Sequence, residues 1–211
     1  MTAEPSVGTA PAPAATAATA RLISRAPARP SALTVTVATA GSVAGLVLLV
    51  AIGAWLDQVW LIPPLAASSA LVFGAPALPL AQPRSVVGGQ LLSALTGFAV
   101  LAVAGSSAWG AGVAGGLALG VMMLARTPHS PAAATAVIVV AQSPDPLVFL
   151  PLLAAASSLL VAVGVATGRL RAATRYPTYW WGGGGGAPPS RYVQDVRFGT
   201  AVRPVLRGRT R

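Results

Sequence analysis

The chain has no cysteine and no lysine, a single histidine, and only four acidic residues among 211. Without cysteine there can be no disulfide, no thiolate metal site and no cysteine nucleophile. Charged residues make up 9% of the chain, whereas a soluble domain carries about a quarter. That is too few to cover a water-facing surface. One histidine, with no carboxylate inside an apolar run, leaves little acid–base equipment, so an enzyme is not expected. There is no P-loop, dinucleotide fingerprint or zinc-protease helix. The five glycines at 182–186 lack the Lys-Ser/Thr that completes a phosphate cradle. No cofactor and no metal is expected.

What is present is apolar. Hydrophobic residues make up 55% of the chain and aromatics only 6%, with a mean hydropathy of +0.72. Alanine, valine and leucine dominate, a composition suited to helices packed closely in lipid. The formal charge of +10 is carried by arginine alone. The arginines concentrate in the two tails, which fits the positive-inside bias of membrane proteins better than a nucleic-acid surface. The expected partner is therefore the lipid bilayer, and no nucleic acid.

Six apolar runs follow one another between 33 and 168: Leu33–Trp55, Leu61–Leu80 (interrupted by Gly74, Pro76 and Pro79), Ser85–Ala104, Trp109–Ala125, Ser130–Gln142 and Leu147–Thr167. A helix needs about 20 residues to span the bilayer, so the second and fifth are short. Residues 1–32 read as an Ala/Pro/Arg-rich disordered tail and 169–211 as a basic, Gly/Pro-containing tail. With the N-terminus in the cytoplasm, Arg84, Arg126 and the Arg169, Arg171, Arg175 cluster all fall inside, while Asp57 and Asp145 fall outside. Trp55, Trp60 and Trp109 mark the outer boundary, and Tyr176, Tyr179, Trp180 and Trp181 follow the inner one. This predicts a multi-pass protein of the cell (inner or plasma) membrane with both termini cytoplasmic.

The second and fifth runs begin alike. Aligning Pro64 with Pro131 sets Ser68 opposite Thr135. Each start is followed by a proline-containing break and another long run, so the chain divides into two halves of three segments. Three is odd, which predicts an inverted repeat, and in such proteins short interrupted helices point to the substrate site. The expected fold is an all-α transmembrane bundle of six segments, built as two inverted three-segment repeats.

Pro64 and Pro131 would each leave free backbone N–H groups at a helix start, favourable for an anion. Ser68, Ser69 and Thr135 add hydroxyls one turn later; the competing reading has these hydroxyls bonding the preceding turn's carbonyls. Gln90, deepest of Gln82, Gln90 and Gln142, should face the bundle interior because it needs a partner. His129 is the only titratable candidate for a proton switch. Arg84 and Arg126 would draw anions to the inner mouth. Gly112, Gly116 and Gly120, like Gly41 and Gly45, repeat every four residues. Such faces serve close helix contact, and internal packing is expected before a homo-oligomer.

The run Gly74-Ala75-Pro76-Ala77-Leu78-Pro79-Leu80-Ala81-Gln82-Pro83-Arg84-Ser85, continued by Gly88-Gly89-Gln90-Leu91-Leu92-Ser93-Ala94, resembles the HPP family of integral membrane proteins. His129-Ser130-Pro131-Ala132-Ala133-Ala134-Thr135-Ala136 is similar to that family's His-Pro-Pro signature, and Ala66-Ala67-Ser68 to its Gly-Ala-Ser. The resemblance covers roughly residues 35 to 168. Ser130 stands where the signature has its middle proline, and Gln90 where the family has a histidine. The resemblance implies a small bundle of membrane helices, and plastid and cyanobacterial relatives are associated with nitrite transport. The function expected is a transporter or channel for a small inorganic anion, with nitrite the first candidate. The alternative is a non-transporting membrane scaffold or interaction protein.

Overall fold

The structure is a computed structural model that describes residues 29–56, 62–170 and 176–180. The disordered-tail, glycine-linker and basic-tail readings, together with Asp57, Trp60, Trp181, Arg171 and Arg175, lie outside the described residues. The described residues form six α-helices and no strand: α1 Ala32–Trp55, α2 Ile62–Gly74, α3 Pro83–Ala104, α4 Ala108–Leu124, α5 Ala133–Gln142 and α6 Pro146–Gly168. Short 3-10 turns at Pro79–Ala81 and Ser130–Ala132 lead into α3 and α5.

Local chemistry sets the ends. Ser31, Ser107 and Asp145 cap α1, α4 and α6 by accepting the N–H of Thr34, Gly110 and Leu147. Prolines sit in the first turn of α3 and α6, where a missing N–H costs nothing. α2 stops at Gly74 because Pro76, Pro79 and Pro83 follow, and proline can neither donate to a helix nor tolerate a helical residue before it. α4 ends in a Schellman turn. Arg126 takes the left-handed position at φ 58°, its N–H donates to Met123 O, and Thr127 N–H reaches back to Met122 O. That turn sends Thr127-Pro128-His129 back into the bundle.

α1, α3 and α6 run 24, 22 and 23 residues and are long and apolar enough to cross a membrane. α2 and α5, at 13 and 10 residues, reach only about 20 and 15 Å at 1.5 Å per residue. The hydrocarbon core is about 30 Å thick. The non-helical segment 75–82 lengthens the α2 crossing. Such backbone is tolerated in a membrane only where protein satisfies it. Gln82 does this: its fully buried amide donates to Pro76 O (2.8 Å) and Leu78 O (3.0 Å).

α3 and α6 pack together, α3 also against α4 and α5, and α6 also against α1 and α2; α1 pairs with α2 and α4 with α5. Phe73, Phe149, Leu153, Leu160, Val86 and Val139 fill the core, and Phe98 meets Phe149 edge-on at 5.8 Å between ring centres. The outside is apolar as well. Val43, Val47, Val113, Leu117, Met123 and Leu147 are exposed, while ten polar side chains, Gln82, Gln90 and His129 among them, are buried. This inversion of the soluble pattern is what lipid requires. Trp55 and Trp109 stand exposed at helix ends, as a boundary position predicts.

The expectation of internal packing for Gly112, Gly116 and Gly120 is corrected: a Cβ at any of them meets nothing within 4 Å, so this face looks outward. It is Gly115 of α4 that packs inward, where a Cβ would lie 3.0 Å from Val137. Gly41 and Gly45 do pack internally, against Phe73, Thr167 and Leu160. The small-residue face that closes the core is one the sequence reading passed over: Gly89, Ser93 and Gly97 of α3, all buried.

Candidate functional site

The polar side chains converge at one place, where α2, α3 and the start of α5 meet. Ser68, Gln90, His129 and Thr135 are all fully buried. The Thr135 hydroxyl donates to Gln90 Oε1, and Gln90 Nε2 donates to Ser68 Oγ at 3.0 Å. Ser68 Oγ lies 2.8 Å from His129 Nε2 and 2.8 Å from Pro64 O. On the far side of the ring, His129 Nδ1 lies 2.7 Å from Leu80 O, in the broken segment after α2. A carbonyl only accepts, so Nδ1 carries hydrogen and is the donor. His129 lies in the connection between α4 and α5, and burial holds its imidazole down to about 4, opposed in part by the Leu80 bond. The ring is therefore neutral with a bare Nε2, and the hydrogens run one way: Thr135 to Gln90 to Ser68 to His129 to Leu80 O.

The fold delivers each member for a local reason. Gln90 lies on the buried face of α3 between Gly89 and Ser93; an added Cβ at Gly89 would sit 2.7 Å from His129 Cβ, so only glycine admits the imidazole there. Ser93, which the sequence reading did not single out, donates to Ala132 O and ties α3 to the turn that opens α5. Its position three residues after Gln90 on a helix was the available signal. Ser68 Oγ also lies within hydrogen-bond distance of Pro64 O, but its single hydrogen serves one acceptor at a time, so the competing reading holds only when that hydrogen turns from His129 to Pro64 O. Thr135 bonds across to α3.

Not every predicted member joins. Ser69 turns toward α1, bonding Ala66 O (2.8 Å) and Ser42 Oγ (3.1 Å). Pro64 takes part through its carbonyl, and Pro131 lies within the 3-10 turn. Gln82 serves the broken segment, and Gln142 is exposed. Arg84 Nη2 donates to Ala125 O at 3.0 Å, which brings the start of α3 beside the connection that carries Arg126. Thr127 Oγ1 is buried with no partner among the described residues.

Tyr176, read from sequence as an interfacial ring, is 6% exposed. It lies against Gly164 and Gly168 of α6 and donates its hydroxyl to Ala81 O at 2.9 Å. Burial raises the phenol's pKa, which keeps it a donor. Thr178 N–H donates to Gln82 Oε1 at 2.9 Å. Tyr176 and Thr178 thus bond to the broken segment one and two residues after the carbonyl that His129 holds. Tyr176→Phe orphans Ala81 O, and a loss of about 1–3 kcal/mol is expected. It is checked as a lowered thermal midpoint of the detergent-solubilised protein.

An apolar-surfaced bundle of six helices, two of them too short to cross alone, closed around a polar cluster, defines a polytopic helical membrane protein. Residues 27–177 match the family model described as HPP, transmembrane region, and the chain belongs to that family. Two transmembrane proteins of Dictyostelium discoideum are similar to it. One is 29% identical over 133 residues (59% of this chain, 42% of the relative) and the other 33% over 129 residues (57% and 45%). The chain spans less than half the length of these relatives. No solved structure matches it.

Proposed function

We propose that this protein carries a small inorganic anion across the membrane, with nitrite the first candidate, and that the anion is bound by Ser68, Gln90, His129 and Thr135. The observation that supports this most is the cluster itself. Four polar side chains are gathered, at an entropic and desolvation cost, at the junction of two short helices in an otherwise apolar core. In a membrane scaffold the same groups would serve helix packing alone. Arg84, in the first turn of α3, and Arg126, on the connection after α4, are the electrostatic mouth in this reading. That adjacency, and the docking of Tyr176 on Ala81, favour one common side for the start of α3, the connection after α4 and the end of α6. We take that side to be the cytoplasm and the membrane to be the cell membrane.

The same reading takes the two halves as inverted repeats. A shift of 67 residues (131 − 64) carries Pro64 to Pro131, Ser68 to Thr135, Val72 to Val139, Pro79 to Pro146 and Gly97 to Gly164. In support, exchanging the halves carries the close approach of Gly97 to Val139 onto that of Gly164 to Val72. The helix pairings are also unchanged when α1, α2, α3 are swapped for α4, α5, α6. The outward Gly112, Gly116, Gly120 face is read as a contact between two copies. Light scattering of the purified protein checks this, with Gly116→Leu expected to release monomer.

Flux in proteoliposomes tests the function. Ser68→Ala with Thr135→Ala is expected to cut nitrite uptake by roughly tenfold or more, about 1.4 kcal/mol per tenfold. Unchanged uptake removes these hydroxyls from the path.

A further inference from the structure

We infer that the anion moves together with one proton, carried on His129 Nε2, so that the loaded site is electrically neutral. This rests on the anion-transport reading above and adds what is coupled to it.

Between Leu61 and Asp145 the only formally charged residues are Arg84 and Arg126, and α6 has none. The ring nitrogens meet Ser68 of α2 and Leu80 O of the broken segment, Gly89 of α3 lies against the His129 Cβ, and Met122 of α4 and Thr127 lie beside that glycine. None of these is ionisable. Tyr176, beyond the broken segment, donates to Ala81 O, and Arg84 donates to Ala125 O. An anion entering a low-dielectric site with no fixed cation carries a large desolvation cost. So does an imidazolium formed there alone. Together they cancel, and each makes the other's arrival favourable.

The hydrogen-bond geometry is already arranged for the proton. Ser68 has one hydroxyl hydrogen and two acceptors at 2.8 Å, His129 Nε2 and Pro64 O. While the ring is neutral that hydrogen is on the Nε2 side. When a proton from solvent forms the Nε2–H bond, the ring donates to Ser68 Oγ, and the Ser68 hydrogen turns to Pro64 O. Ser68 Oγ can accept from Nε2–H and from Gln90 together, having two lone pairs. Protonation therefore gains a hydrogen bond and breaks none of the other links. On release the Nε2–H bond breaks, the proton leaves with the anion, and Ser68 turns back. No other bond changes.

The test uses the full chain in liposomes and follows nitrite, internal pH and membrane potential together. Nitrate is run in parallel because its conjugate acid does not leak, and protein-free liposomes set the background. One proton per anion, with uptake driven by an inward proton gradient and indifferent to an imposed potential, is the expected result. Anion uptake driven by potential with no proton movement overturns the coupling and leaves transport standing. No uptake of nitrite, nitrate, formate or chloride by folded protein overturns both. His129→Asn, whose amide can still donate to Leu80 O, is expected to lose proton-driven uptake by roughly a hundredfold. A folded His129→Asn that still moves protons with the anion also overturns the coupling. Should that variant not fold, the proton-to-charge ratio of the unaltered protein decides alone.

Discussion

Gln90→Leu is expected to abolish anion uptake and to lower the thermal midpoint by several degrees. Gln90 joins α2 to α5: its amide N–H holds Ser68, and its carbonyl receives Thr135. Leucine has similar bulk but leaves the Thr135 hydroxyl without its partner in a fully buried position. Each orphaned buried group costs about 1–3 kcal/mol, and at this chain length each kcal/mol is worth roughly 2–4 °C. Thr135 can recover part by turning to a carbonyl of its own helix, which puts the expected loss at the lower end. Ser68 retains His129 and Pro64 O, so the His129 end of the chain persists. A double-mutant cycle with Thr135→Val isolates the link, and the two effects should fall short of additive by roughly 0.5–3 kcal/mol. Full additivity would show that the Thr135–Gln90 bond carries no energy. Full uptake by folded Gln90→Leu would place the path elsewhere.

The same substitution made at two glycines is expected to act with opposite signs. At Gly97 an added methyl meets Ala136 O at 2.8 Å, Val139 Cβ at 2.9 Å and Ala136 Cα at 3.0 Å. Two of these atoms are backbone and none is the end of a flexible side chain, so α3 and α5 must separate. Gly97→Ala should therefore cost about 1–3 kcal/mol or more through overpacking, and the displaced α5 should carry Thr135 away from Gln90. At Gly116 a methyl meets nothing. Within a single copy alanine there adds only helix propensity, up to about 1 kcal/mol, so the gain is read on the monomer, apart from the proposed contact of this face with a second copy. Midpoints of the two variants, measured side by side in one detergent, check both signs. A Gly97→Ala protein as stable as the parent would mean that α3 and α5 do not approach this closely.

That contrast marks the boundary between what was legible in the sequence and what was not. Helix positions were legible, with ends within two residues for four of the six, because apolar length, capping serines and prolines act over a few residues; the fifth run begins at Ser130, but Ser130–Ala132 is a 3-10 turn and α5 starts at Ala133. The second run was read to Leu80, interrupted at Gly74, Pro76 and Pro79; its helix stops at Gly74. That Ser68, Gln90, His129 and Thr135 would be buried and bonded was legible because a polar group in an apolar segment needs a partner. The sequence did not show which partner. Ser68 and Ser69 are neighbours of the same type, yet one faces the cluster and the other faces Ser42 of α1. Three glycines spaced by four on α4 looked like the packing face, whereas Gly89, Ser93 and Gly97 on α3 close the core.

By itself, then, the sequence determined a membrane protein of six apolar segments with two short ones, and the chemical types available for a site. Those follow from composition and from local backbone rules. The tertiary structure alone decided which face of each helix turns inward, that the carbonyl of Leu80 completes the histidine's bonds, and that Tyr176 folds back onto the broken segment. In an apolar bundle the inward and outward faces carry the same kinds of residue. Hydrophobicity therefore cannot orient a helix, and the choice is left to close packing and to the pairing of the few polar groups.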